Sequence, residues 1–327
     1  MSILVTGGAG YIGSHMVLRL LEAGEQVVVY DNLSTGHRAL VPDAATFIEA
    51  DLADAAQVRE CIRQHGVTDI LHFAGSIIVP ESVADPLKYY GNNTCISRSL
   101  IETAVSEGVD RFIFSSTAAV YGAVGIDPVT EETPTVPVSP YGSSKLMTEW
   151  MLRDVAATGA LRFGVLRYFN VAGADPKGRS GHSSPDATHL IKLACKAALG
   201  QRDFLSIYGS EFPTPDGTGV RDYIHVTDLA EAHYLLMGYL RDGGESVTLN
   251  CGYGSGYSVR QVAEMMKQGS GVDFELRSED RRPGDPASVV ADARHLRETL
   301  GWEPRHDDLR GIIQSAYDWE LHLLGRA

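Results

Sequence analysis

Cysteine is sparse and scattered. Cys61, Cys95, Cys195 and Cys251 form no Cys-x-x-Cys pair, so the spacing of a zinc site or a dithiol redox motif is missing. Four thiols so placed read as reduced side chains of a cytoplasmic protein. No apolar run approaches the roughly 20 residues needed to cross a bilayer. No basic segment with a cleavage site precedes the first apolar run, so no export signal is expected. Positive charge is also scarce: 28 Lys and Arg stand against 42 Asp and Glu, a net charge of −14. An acidic surface repels phosphate backbones and anionic lipid, so neither nucleic acid nor a membrane is an expected partner. Any anionic ligand must then be held by local cations and backbone N–H groups. Repeats, low-complexity tracts and long linkers are missing as well, and no metal site is expected.

What is present is an alternation of short elements. Residues 2–6 are an apolar run ending in glycines. Ile12, Met16, Leu20 and Leu21 follow at helical spacing, and Gly24 ends that helix. Residues 26–30 read as a buried β-branched strand that stops at Asp31. Further strands are expected at 46–49, 69–73, 111–115 and 161–167, with helices at 54–64, 93–107 and 143–157 between them. Strands alternating with helices predict an α/β fold, a doubly wound parallel sheet of the Rossmann kind. After Asn170 the rhythm breaks, and glycine, proline and serine are dense over 172–185. A helix is expected at 187–199, a loop at 209–219, a helix at 227–240 and a short strand at 246–250. The expected division is a nucleotide-binding domain over 1–170, joined by later elements near 220–250, and a smaller interleaved substrate lobe over 171–327.

Gly7, Gly10 and Gly13 have the G-x-x-G-x-x-G spacing between a strand and a helix. The three serve a tight turn, close approach of backbone to a pyrophosphate, and close packing of helix on strand. The pyrophosphate would sit at the helix N-terminus, where free N–H groups and the dipole favour negative charge. Asp31, ending the second strand, would accept hydrogen bonds from both ribose hydroxyls and repel a 2′-phosphate, so NAD is expected over NADP. Asp51 and Leu52, then Phe73, Ala74 and Gly75, end later strands, and Asn93 starts the next expected helix. Ligands of open α/β sheets bind at such strand ends.

Tyr141-Gly142-Ser143-Ser144-Lys145 places a tyrosine and a lysine on one helix face. A nearby ammonium and a positive nicotinamide ring would favour the phenolate and make Tyr141 a general base. Thr117, after the strand at 111–115, adds a hydroxyl able to relay a proton or orient a substrate hydroxyl.

With these residues the sequence resembles the extended short-chain dehydrogenase/reductase family and, within it, the UDP-galactose 4-epimerases. The likeness runs over nearly the whole chain. It rests on the glycine turn from Val5 to His15, Asp31-Asn32-Leu33, His72 to Gly75, Pro140 to Lys145, Arg167-Tyr168-Phe169-Asn170, the stretch from Asp216 to Val226, and Arg281-Arg282-Pro283-Gly284-Asp285. The resemblance implies that Tyr141 removes the proton of the sugar 4-hydroxyl while hydride passes to NAD, that the 4-keto sugar turns, and that hydride returns to the opposite face. It implies cofactor contacts for Tyr11, Ile12, Asn32, Tyr141, Lys145 and Tyr168, with Thr117 sharing the hydroxyl proton. The substrate handle would be UDP: Arg221 and Arg282 at the diphosphate with Asn170, Tyr208 beside uracil, and Asp285 near the ribose.

Three positions depart from the family pattern. His189 stands where an asparagine is usual, and is kept as a phosphate contact. Ile77 stands where some members carry a lysine. Val289 aligns with the residue limiting room for the sugar, with Ser288 as the alternative if the alignment slips. Either is small, so space for an N-acetyl group is expected. A 4,6-dehydratase would need acids where Ala118 and Ala119 stand. Epimerisation of a UDP-pentose, or a non-catalytic NAD-binding regulator, are the other readings. The resemblance also implies a homodimer paired through the helices at 93–107 and 143–157. Leu146, Trp150 and Leu152 could serve that interface or the core.

Overall fold

An apolar run such as Ser-Ile-Leu-Val-Thr can be buried along its whole length only when helices cover both faces of its sheet. Strand β1 (Ser2–Thr6) is buried at all five residues in the computed structural model. The structure describes residues 1–184, 188–282 and 284–325. After β1 come β2 (Gln26–Asp31), β3 (Thr46–Glu49), β4 (Val67–His72), β5 (Arg111–Thr117), β6 (Arg162–Tyr168), β7 (Asn170–Ala172), β8 (Phe204–Tyr208), β9 (Val220–His225), β10 (Val247–Cys251), β11 (Gly256–Ser258), β12 (Glu275–Glu279) and β13 (Ser288–Val289). The helices are α1 (Tyr11–Glu22), α2 (Ala55–His65), α3 (Val79–Ala84), α4 (Pro86–Tyr89), α5 (Ile96–Ser106), α6 (Pro140–Ala156), α7 (Leu190–Ala198), α8 (Val226–Arg241), α9 (Val259–Ser270), α10 (Arg294–Leu300) and α11 (Leu309–Leu323).

Seven strands form one parallel sheet in the order β10-β6-β5-β4-β1-β2-β3. This is the expected doubly wound α/β sheet. Successive β1 side chains face opposite layers. Ile3 and Val5 join Met16, Val17 and Leu20 of α1 and Leu229 and Leu236 of α8. Leu4 joins Val58 and Ile62 of α2, Leu100 and Ile101 of α5, and Leu152 of α6. Strand order reverses at β1, which pairs with β2 on one side and β4 on the other, so a crevice opens at their carboxyl ends. A second sheet has β9 at its centre, antiparallel to β11 and parallel to β13 and β7. β12 and β8 form a parallel pair.

Some boundaries differ from expectation, and two differences bear on the site. β5 continues two residues further, to Thr117, because β6 pairs with it that far. α6 starts at Pro140 rather than 143: Ser139 accepts a hydrogen bond from Gly142 N at 3.2 Å, and proline suits the first helical turn. Short helices α3 and α4 were not foreseen. Each carries a proline in its first turn and spans too few residues to establish a period. The helix expected from 93 begins as a π-helical stretch, Tyr90–Cys95, and becomes α-helical at Ile96. The helix expected from 187 is α7, starting at Leu190; Pro185, Ala187 and the motif residue Pro283 lie outside the described residues. Cys61, Cys195 and Cys251 are buried free thiols and Cys95 is an exposed one. Among the described residues no helix is long and apolar enough to cross a membrane.

Candidate active site

The glycine turn must pass very close to neighbouring backbone. Gly7 has φ +71°, and a Cβ on it would lie 2.6 Å from Ala74 N. A Cβ on Gly13 would overlap the Gly7 carbonyl oxygen, so α1 can start this near β1 only with glycine there. Gly10 N donates to Gly7 O at 3.1 Å and closes the turn. No side chain caps the start of α1, which leaves its first N–H groups and dipole for an anion. Asp31 is nearly buried, and its carboxylate accepts from Ala9 N and Leu33 N, each at 2.9 Å. The same side chain thus braces the turn and keeps lone pairs free. Asn32 donates to Asp51 at 2.9 Å; Ala53 N and Asn32 together hold the Asp51 carboxyl below its ordinary range.

A cavity of about 1240 Å³ is lined by this turn and by the strand ends around the switch point. Of the cofactor and substrate contacts expected from the sequence, leaving aside the alternative wall residue Ser288, all but two line it. The two are Asn93 and Lys145. Asn93 is buried in the π-helical stretch, where its amide holds the Ser76 backbone and donates to Ser144 Oγ at 3.0 Å. Lys145 lies deeper, one helical turn after Tyr141. Its Nζ donates to Ser115 O at 3.0 Å and sits 4.8 Å from the centroid of the Phe114 ring. A Cβ on Gly75 would approach Lys145 Nζ to 3.9 Å and Asn93 Oδ1 to 3.0 Å. Gly75, which lines the cavity, therefore packs directly against both with no side chain between.

Thr117 and Tyr141 face each other at the end of β5 and the start of α6. Thr117 Oγ1 accepts from Ala119 N at 3.1 Å, which leaves its hydroxyl proton to bond the Tyr141 phenol. Burial and the nearby Tyr168 phenol push Tyr141 well above the ordinary tyrosine range, with only the Thr117 bond pulling down. The sequence pattern led us to expect Lys145 to lower it. Lys145 is instead committed to Ser115 O, and its own ammonium is pulled down to about 8 by burial, against the pull of Glu149. In the protein alone the phenol is protonated.

At the other end of the cavity Arg221, on β9, donates to Asp285 Oδ1 at 2.6 Å and to Val220 O at 2.8 Å. Arg282 lies 3.7 Å over the Tyr208 ring and bonds its hydroxyl, holding that phenol below its ordinary range. Asn170 starts β7 opposite Tyr223 of β9. Val289 of β13 pairs with Arg221 and lines the cavity, whereas Ser288 is buried away from it. Ala118 and Ala119 line the cavity beside Thr117 and offer no proton-transferring side chain; Ile77 lines its rim. Among the lining residues that no motif marked is His182. His182 stacks on Tyr11 with ring centroids 4.6 Å apart and meets the ring of His189, the residue before α7, at 5.0 Å. Burial holds both histidines below their ordinary range, so at pH 7 they are neutral donors rather than cations. His182 stands in a glycine- and serine-rich loop with no periodicity, which left nothing in the sequence to mark it.

Residues 3–252 match the model of the NAD dependent epimerase/dehydratase family. The chain belongs to that family. It is 54% identical over 98% of its length to a UDP-glucose 4-epimerase of Azospirillum brasilense, covering 92% of that relative. The structure of UDP-glucose 4-epimerase from Brucella ovis in complex with NAD superposes with a TM-score of 0.94, at 42% identity and 97% coverage of both chains. The UDP-Glc/GlcNAc 4-epimerase of Campylobacter jejuni superposes at 0.87, at 46% identity, covering 98% of this chain and 99% of that one. The epimerase is thus an isomerase that uses NAD, and its activity is 4-epimerisation of UDP-glucose.

Proposed function

We propose that residues 1–170, with β10 and α8, hold NAD, and that most of 171–327 holds the UDP-sugar. The close backbone packing at Gly7 and Gly13, which leaves no room for a Cβ, and the uncapped start of α1 support this placement. Gly7, Gly10, Tyr11, Ile12 and Gly13 would receive the pyrophosphate, and Asp31 and Asn32 the adenosine ribose. Asp51 and Leu52 would meet the adenine, and Phe73, Ala74, Gly75 and Tyr168 the remaining length. Bound there, NAD supplies the acceptor and donor of the C4 hydride. Tyr141 takes the 4-hydroxyl proton and later returns it, and Thr117 orients that hydroxyl. Because burial holds the Tyr141 phenol high, it becomes a base only when positive charge is brought to it. The nicotinamide ring would bring that charge, while Lys145, anchored on Ser115 O, would hold the cofactor ribose.

Arg221 and Arg282 carry the diphosphate, together with Asn170 and the neutral donor His189. Tyr208 stacks on the uracil and Asp285 meets its ribose. The carrying observation is that Thr117, Tyr141, Arg221 and Arg282 line the same cavity as the glycine turn. Val289 is a small wall residue, and the likeness to an enzyme named for both plain and N-acetylated sugars supports room for an N-acetyl group. A pentose substrate would use the same residues. Tyr141→Phe tests the assignment: UDP-glucose and UDP-galactose should no longer interconvert, and undiminished activity would remove the mechanism. Incubating several UDP-sugars without added NAD and identifying the products tests both substrate range and retained cofactor. A cytoplasmic homodimer paired through α5 and α6 completes the proposal. Leu146 and Leu152 are core, whereas Trp150 on α6 is 44% exposed, which supports its place at a subunit contact.

A further inference from the structure

A line of buried polar side chains runs from the catalytic helix to the wall of the sugar site. Glu149 stands one turn after Lys145 on α6 and accepts from Ser116 Oγ at 2.5 Å, beside Thr117. Arg167 of β6 donates to both Glu149 oxygens and, at 3.0 Å, to the Tyr121 hydroxyl. Tyr121 donates to Asn250 Oδ1 at 2.7 Å. The Asn250 amide donates to Val129 O at 2.8 Å, and Glu131 accepts from Asn250 N at 2.7 Å. Val129 then pairs with the strand that follows Val289: its N donates to Val290 O and its O accepts from Asp292 N, each at 2.8 Å. Glu149, Arg167, Tyr121, Asn250 and Val129 are all buried. Around them Tyr121, Val129, Leu146, Phe169 and Ala291 form a small apolar cluster of their own, with Val289 packed against it.

Asn250 belongs to β10, whose pairing with β6 is made by backbone alone. Its side chain is therefore not needed to hold the sheet. A buried amide with every polar atom bonded is costly to disturb and admits one geometry. We infer that Tyr121 and Asn250 are positioning residues that fix the distance between the Val289 wall and the Thr117–Tyr141 pair, and so set which sugars fit. The inference rests on the proposed role of Val289 and touches neither substrate nor cofactor directly.

A double-mutant cycle tests it. Tyr121→Phe keeps the ring and removes the hydroxyl that joins Arg167 to Asn250. Asn250→Asp keeps the shape and the bond from Tyr121 but removes the donor to Val129 O, and stands as the second variant should the first not fold. With the holoenzyme, the ratio of kcat/KM for UDP-N-acetylgalactosamine over UDP-galactose should rise several-fold, because a loosened wall yields to the larger sugar. Activity on the larger sugar where the parent has none counts as the same rise. In a Val289→Ala background the ratio should change less than twofold, since the wall is already gone. An unchanged ratio, with both activities falling together, overturns the inference. So does a rise of equal size in the Val289→Ala background. An active parent in either of those cases leaves the epimerase reading intact, whereas a parent inactive on every UDP-sugar overturns both.

Discussion

Lys145→Met should make the protein more stable at neutral pH while removing its activity. Lys145 is buried, and that burial lowers its pKa from 10.5 to about 8. Between those values the unfolded chain binds one proton more than the folded one, so through this group stability rises with pH across that window. Below about pH 8 the folded state carries the full penalty, about 3 kcal/mol by the linkage between pKa and stability. The substitution also loses the hydrogen bond to Ser115 O, worth about 1 kcal/mol. A net gain of about 2 kcal/mol is expected at pH 7. With about 2.1 cal/mol/K of unfolding entropy per residue over the 327-residue chain, that is a rise of about 3 °C in Tm. Near pH 9.5 the folded chain has lost that proton while the unfolded chain still holds it, and the gain should have fallen by about 2 kcal/mol, to near zero. The comparison calls for cofactor-stripped protein, because bound NAD adds its binding free energy to the folded state. Urea melts of both proteins at pH 7 and 9.5 give the numbers. A variant less stable than the parent at pH 7, or equally more stable at both pH values, would refute the reasoning.

Gly13→Ala should empty the cofactor site: its Cβ collides with the Gly7 carbonyl, a rigid backbone atom, so purified protein should carry several-fold less NAD by absorbance or enzymatic assay. Asp31→Ala removes the acceptor of two backbone N–H groups and should lower both NAD content and Tm, a loss of about 2–4 kcal/mol for two charge-assisted bonds. Arg221→Ala should raise KM for the UDP-sugar by at least tenfold with a smaller effect on kcat, because a diphosphate contact acts alike in ground and transition states; a kcat effect alone would contradict the assignment. Val289→Tyr should suppress turnover of N-acetylated sugars much more than that of UDP-galactose, and parallel losses on both would remove Val289 as the wall.

The glycine turn was legible because its geometry is local. Each glycine answers to backbone within a few residues or on the adjacent strand end, and its spacing survives in the sequence. The sheet was legible for a similar reason, since unbroken apolar runs between helical periods admit few arrangements. Helices α3 and α4 were not, because six- and four-residue segments with a proline in the first turn carry no measurable period. Thr117 and Tyr141 could be picked out, but whether they sat on strand and helix depended on the Ser139 cap and on pairing with β6, both outside the motif.

By itself the sequence determined the α/β sheet, the preference for a dinucleotide and the set of groups able to move a proton. Only the tertiary structure decided how those groups are tuned. Lys145 turns to Ser115 O, Tyr141 is held protonated by burial, and Asn93 serves the backbone rather than the cavity. It also brought His182 to Tyr11, and Val129 between Asn250 and the strand beyond Val289. The physical reason is range. Turn chemistry and hydrophobic period act over a few residues, whereas desolvation and buried polar networks depend on groups from tens to more than a hundred positions apart.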